Sequence, residues 1–530
     1  MDAATLDVID PLVDAGELPN LARLLRGGAH GVLRSTTHPL TPQAWTTMVT
    51  GVNAARHGIW DFRERTGTGY ELRPVNGSYR RAPAIWDRLA AAGKRVGLVN
   101  VPFTWPAPEL DGFALSGFDT ATHESMAHPQ GLLEELERRF GPLALDHRFP
   151  VGRDGSIDLD LVRASCEQKA RMTAWLAAEH QPDLLFVVFM SADHIHHLAW
   201  PEWERSGPDS PVAEVYRLLD AAVGELLGAL PPDGDVLVVS DHGGGSLEGA
   251  VNLNAWLAEE GFLTYRGLGA ESGRQLRRLL LLRRRLLPSG VRTKLKGALP
   301  GLTERATRLA VEQLVDLSQT RAFSYGTFGN IVVNLRGREA QGIVEPGEEY
   351  ERVRDEIAGK LAELRSPDGE KIVRAVHRRE DLFDGPELEK VPDLLVEFDE
   401  YAWLGKGNLV RRTPTIWDEI EIESGSGVAY TGSHRHEGLI ALSGPSAANG
   451  TTLSAGIEDV APTALYLLGE PVPTELEGRV LTEAIRPHVL DERPPDYEDA
   501  VPIEVGASRG YDDEEAAEVE SRLRSLGYVE

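Results

Sequence analysis

A chain of 530 residues, 42% hydrophobic and 26% charged with 54 glycines, has the make-up of an ordinary globular protein and is too long for one hydrophobic core. Its 55 Lys and Arg against 83 Asp and Glu leave a formal charge of −28, which argues against a nucleic-acid scaffold, and no stretch approaches a membrane span. The one cysteine, Cys166, excludes an intrachain disulfide and a multi-cysteine metal site, and fits a reducing, cytoplasmic setting.

The chain opens "MDAATLDVID", an acidic residue at position 2 running straight into a helical pattern with no buried strand before it. In "HPLTPQAWTTMVTG", Thr41 followed by Pro42 reads as a helix N-cap with proline at the first helical position, the helix ending near Gly51. Capping alone accounts for Thr41. A helix N-terminus also gathers anions, however, so a hydroxyl there sits where a phosphoryl group would bind, and metal coordination could make it a nucleophile. Further on, "RVGLVNV", "DLLFVVFM", "DVLVVSD" and "GLIALSG" read as buried strands, and "SYRRAPAIWDRLAAAGK" and "PVAEVYRLLDAAVGELLGAL" as amphipathic helices. Strands alternating with helices predict an α/β fold, a mostly parallel central sheet with helices on both faces.

Two of those strands end in ligand-type residues. "LLFVVFMSADHIHHLAW" supplies Asp193, His194, His196 and His197, with Asp193 and His197 four apart on one face if the strand passes into a helix. "VLVVSDHGGG" supplies Asp241 and His242, and the Gly-rich loop "YTGSHRHEGLIALSGP" adds His434 and His436. Singly, each reads more readily as a turn or core residue. Together at strand ends they form a nitrogen and oxygen donor set suited to zinc, with manganese or iron as alternatives.

After residue 260 the alternation breaks. From Arg266 to Arg308 there are 12 Lys and Arg against 2 Asp and Glu, a local charge of +10 in a Leu-rich helical pattern. The predicted organisation is a discontinuous catalytic core, 1–265 with 428–486; a basic helical insertion, 266–320; a small α+β cap, 321–427; and an acidic tail with a terminal helix, 487–530. The insertion reads as a cap over an anionic substrate, as a partner-binding or structural helix, or as a peripheral membrane contact through 273–297.

The motifs "LTPQAWTTMVTGVNAARHGI", "SADHIHH", "SDHGGG", "GSHRHEG" and "DVAPTALYLLGEPVPTELEGRVL" resemble those of the alkaline phosphatase superfamily, in its type I phosphodiesterase and nucleotide pyrophosphatase branch. The resemblance implies two divalent metal ions, zinc or else manganese, one held by Asp193, His197 and His434 and the other by Asp2, Asp241 and His242. It implies Thr41 as the nucleophile that forms a phosphothreonine, and a small phosphate ester or lipid headgroup as substrate. Where nucleotide-acting members place an asparagine, this chain has Thr41, Pro42, Gln43, Ala44, so Gln43 is the candidate phosphate contact. The Cys-x-Pro-x-Arg signature of sulfatases and phosphonate monoester hydrolases is missing, which disfavours sulfatase activity. A phosphomonoesterase, a phosphonate hydrolase or a phosphotransferase would use the same site, and a homologue that binds without turnover is the reading of another class. In the resembled family a buried strand leads into the turn occupied here by Met1-Asp2-Ala3-Ala4. The native chain is therefore expected to start upstream of Met1; a start at Met1 would leave Asp2 on a frayed terminus with weak metal binding.

Overall fold

The computed structural model describes residues 1–65, 67–121, 125–144, 149–151, 156–266, 311, 313–409, 415–418, 430–506 and 508–526. The basic stretch from 267 to 310, with the membrane contact expected at 273–297, lies outside the described residues.

Two four-stranded sheets form the main body. One runs in spatial order Thr452–Gly456, Gly28–Arg34, Glu437–Ser443, Val236–Val239, and the other Ala127–His128, Gly112–Ser116, Val96–Val101, Leu184–Val187. In each, three strands point one way and one is reversed, Glu437–Ser443 in the first and Ala127–His128 in the second. The carboxyl ends of Val236–Val239 and Leu184–Val187 are joined through residues 1 and 2. The Met1 ammonium donates to the Val239 carbonyl at 2.9 Å, and Asp2 N–H to the Phe189 carbonyl at 2.9 Å.

Helices cover both faces of the first sheet, as the period-2 geometry of a buried strand demands. Leu439 and Ala441 pack with Val8, Leu21, Cys166 and Leu219 of one helical layer, while Ile440 and Leu442 pack with Trp45, Leu89 and Leu465 of the other. The helix Pro211–Ala229 shows why such sequence becomes helix. Ser210 caps it by accepting from Ala213 N–H, Pro211 opens it, and its buried stripe Val212, Val215, Leu219, Leu226 faces the core. The stretch "SYRRAPAIWDRLAAAGK" is α-helical only over Ile85–Ala91, because the residue before Pro83 is steered away from helical dihedrals.

The third sheet, Ala322–Tyr325, Asn330–Val333, Leu394–Phe398 and Val373–Arg378, is antiparallel and packs with the helix Glu348–Leu361 around its own core. Val311, Val315 and Leu317 join that core rather than the main body. The C-terminal helix Asp513–Ser525 returns to the main body, burying Val519 and Leu523 there.

Candidate metal centre and nucleophile

All six predicted ligands meet at the carboxyl ends of the two facing strands. Asp193 and His197 lie on the first two turns of the helix Ser191–Ser206, Asp241 and His242 follow Val236–Val239, and His434 sits on Gly432–Arg435. That last strand pairs with Gly243–Ser246 as a two-stranded ribbon, which brings the loop after His242 and the loop around His434 into register. His196 lies behind the ribbon, and its Nδ1 would stand 2.2 Å from a Cβ at position 244, so the middle glycine of "HGGG" is required by close approach.

Asp193, His242 and His434 offer ligand atoms all within 4.8 Å of one another, and so do Asp2, Asp241 and His242. His197 joins the first group, its Nε2 lying 3.1 Å from His434 Nε2 and 3.2 Å from Asp193 Oδ1; His434 Nε2 is 3.3 Å from the same oxygen. Each of the three ligand histidines ties its other nitrogen to a backbone carbonyl: His197 Nδ1 to Gly432 at 2.9 Å, His434 Nδ1 to Pro39 at 2.5 Å, His242 Nδ1 to Gly243 at 3.0 Å. With Nδ1 donating, the Nε2 lone pairs face the carboxylates, the tautomer a cation needs. His196 and His436 are turned the other way, with Nε2 committed to the Tyr216 hydroxyl and the Thr37 carbonyl.

The electrostatics agree with the geometry. Asp2, Asp193 and Asp241 are fully buried. Burial, then the neighbouring carboxylates, push Asp2 well above the usual carboxylate range, and burial with the field of Asp193 pushes Asp241 up to about 8. Burial lowers His242 and His434, keeping both neutral. Asp2 Oδ1 and Asp241 Oδ2 accept no hydrogen bond among the described residues and lie 3.7 and 3.4 Å from His242 Nε2. Buried oxygens without donors are costly in a dry interior, and divalent ions satisfy this donor set.

Asp2 is not frayed. Besides its bond to Phe189, its Oδ2 accepts the indole N–H of Trp45 at 2.8 Å, and Ala3 N–H donates to Asp241 Oδ1 at 3.3 Å. The bonds to Phe189 and Trp45 hold Asp2 in the described structure.

Thr41 corrects the capping expectation. It is the first residue of the helix Thr41–Thr50, the cap position is Leu40, and no side chain caps the helix. Thr46 and Thr50 return their hydroxyls to the carbonyls four residues back, but Thr41 Oγ1 and both amide atoms of Gln43 are buried without a hydrogen bond among the described residues. Thr41 stands between Pro39, whose carbonyl holds His434, and Trp45, which holds Asp2.

The sequence reading missed Trp45, Tyr430 and Phe149. Trp45 was within reach, four residues after Thr41 on the same helix. Tyr430, in the same loop as His434 and with its ring 4.6 Å from that of His197, was likewise within reach, whereas Phe149, its ring 5.1 Å from that of His194, carries no local signal because a distant segment brings it in.

The sequence matches the family described as Type I phosphodiesterase / nucleotide pyrophosphatase over residues 1–415. No curated protein matches the chain. Among solved structures, phosphonoacetate hydrolase from Sinorhizobium meliloti 1021 in complex with phosphonoacetate superposes with a TM-score of 0.53 at 15% identity, covering 88% of this chain and 93% of that one. A multiply substituted mutant of alkaline phosphatase PafA superposes with a TM-score of 0.55 at 14% identity, over 92% and 98% of the two chains. At such identities the likeness is one of fold, an alkaline-phosphatase-like α/β architecture.

Proposed function

Because the chain belongs to the type I phosphodiesterase/nucleotide pyrophosphatase family and is thereby a phosphoester hydrolase, we propose that it cleaves phosphodiester or pyrophosphate bonds of a small phosphate ester through a phosphothreonine on Thr41. The observation that carries this reading is the buried Thr41 hydroxyl, without a hydrogen bond among the described residues, on a segment whose Pro39 carbonyl and Trp45 indole bond to His434 and Asp2 of the cluster. Asp193, His197 and His434 would hold one divalent ion and Asp2, Asp241 and His242 a second, zinc or else manganese. Bound there, the ions supply charge neutralisation and lower the pKa of a hydroxyl or water.

The chain's own residues do the rest. The backbone N–H groups of Thr41 and Gln43 in the first turn, where Pro42 has none, and the side-chain amide of Gln43 bind the non-bridging phosphoryl oxygens. Thr41 Oγ, its proton lost to solvent, attacks phosphorus in line as the P–O bond to the leaving group breaks, and water then cleaves the Thr41 O–P bond, returning a proton to Thr41 and releasing a phosphate monoester.

The test compares an aryl phosphodiester with the matching monoester in protein reconstituted with zinc and with manganese, together with Thr41→Ala. Diester preference, and loss of turnover in Thr41→Ala at unchanged metal content, is the expected result; a monoester preference, or a Thr41→Ala that still turns over, overturns the reading.

A further inference from the structure

The Thr41 side chain has no hydrogen bond among the described residues, so its placement depends on the residues leading into the helix. Ser35 N–H donates to the His436 carbonyl at 2.8 Å, and the Pro39 carbonyl accepts from His434 Nδ1 at 2.5 Å. Between them, the Thr37 carbonyl accepts two bonds at once, from His436 Nε2 at 2.8 Å and from the phenol of Tyr401. Of these donors only Tyr401 comes from the cap, directly after the strand Leu394–Phe398. Its side chain is 2% exposed and packs against the rings of His436, Phe328 and His38 at 5.1, 5.8 and 6.1 Å. Phe328 lies in turn 5.5 Å from the ring of His434.

The backbone that delivers this phenol is strained. Glu400 and Tyr401 have φ of +47° and +49°, consecutive non-glycine residues in the left-handed region. Such a conformation costs free energy and persists only where the surroundings hold it. Here a second bond anchors it: the Ala402 carbonyl accepts Glu248 N–H at 2.7 Å, just beyond the glycine ribbon.

We propose that Tyr401 is a positioning residue for Thr41: the cap's phenol, sharing the Thr37 carbonyl with His436, fixes residues 35–40 and thereby holds the Thr41 hydroxyl at the ligand cluster. The cap thus completes the nucleophile's support from a different part of the chain. This inference rests on the reading of Thr41 as nucleophile.

The experiment compares Tyr401→Phe, which keeps the ring and removes the donor, with Tyr350→Phe, which removes a half-buried cap phenol whose hydroxyl donates to Asp393 at 2.6 Å. With bis(4-nitrophenyl) phosphate and zinc- or manganese-loaded protein, Tyr401→Phe should lower kcat about 10- to 30-fold with KM within about twofold and metal content unchanged, since misplacement of a reacting group acts on the chemical step. Tyr350→Phe should leave kcat unchanged. Amide exchange read peptide by peptide gives a measure that does not depend on turnover: exchange across residues 35–44 should quicken in Tyr401→Phe and not in Tyr350→Phe. Unchanged kcat or unchanged exchange in Tyr401→Phe overturns the proposal and leaves the function intact, provided Thr41→Ala is inactive. A Thr41→Ala that turns over, or a wild type inactive in both metals, brings down both.

Discussion

Removing one carboxylate from the ligand cluster should stabilise the metal-free protein. Asp2 and Asp241 present oxygens within 4.8 Å of each other in a fully buried setting. Two unit charges at that separation repel by at least about 3.5 kcal/mol at an effective dielectric constant of 20. Asp241→Asn removes this repulsion while keeping a carbonyl oxygen for Ala3 N–H and gaining an N–H that faces the His242 Nε2 lone pair, 3.4 Å from Asp241 Oδ2. Chelator-treated Asp241→Asn is therefore expected to unfold in urea with about 1–3 kcal/mol more stability than chelator-treated wild type, part of the repulsion being relieved in the wild type by proton uptake. With zinc the order should invert. The wild type gains about 2.7 kcal/mol at a hundredfold excess over the dissociation constant, and the variant, lacking a ligand, gains much less. Tryptophan fluorescence follows both, because the Trp45 indole donates to Asp2. A metal-free Asp241→Asn destabilised by more than about 2 kcal/mol, with the zinc response intact, would refute the idea that these carboxylates await a cation.

The histidine cluster gives a paired test. His197→Gln should lower metal affinity at least about tenfold, whereas His196→Gln should leave it unchanged and cost about 1–2 kcal/mol of stability through the lost Tyr216 contact; equilibrium dialysis and urea unfolding separate the two. In the cap, burial alone would raise the Asp393 carboxyl, but bonds from Arg338 at 2.6 and 2.5 Å, with the charge of Arg379 and the Tyr350 phenol, hold it below the usual range. Its stabilisation is thus complete above the unfolded carboxyl value near 4 and disappears as the pH falls through the lowered folded value. Arg338→Met should cost the cap about 3–5 kcal/mol at neutral pH, read by cap-specific amide exchange, and the difference from wild type should shrink in acid.

Much of the site was legible because its residues sit at strand ends that hydrophobic runs make visible. Asp193, Asp241 and His242 follow "DLLFVVFM" and "DVLVVSD" within a few positions, and the strands form there. Choosing His197 and His434 over their neighbours was not readable from spacing, because the discriminating feature is which ring nitrogen meets a carbonyl, and Gly432 and Pro39 are distant in sequence. The capping role expected of Thr41 failed by one position: Leu40 takes the non-helical dihedrals, and the hydroxyl is left without a partner. The contribution of the cap through Tyr401 was invisible for a related reason. It depends on two residues in the left-handed region, and neither Glu400 nor Tyr401 belongs to the types that advertise such a turn.

All ten side chains of the helix Thr41–Thr50 are buried. With the proposed nucleophile carried on an element with no solvent face, its helix neighbours cannot change cheaply, since their side chains are packed in the core of the main body. Substitutions across 41–50 are therefore expected to cost core packing before they alter substrate choice, so libraries built to shift specificity should hold this helix constant.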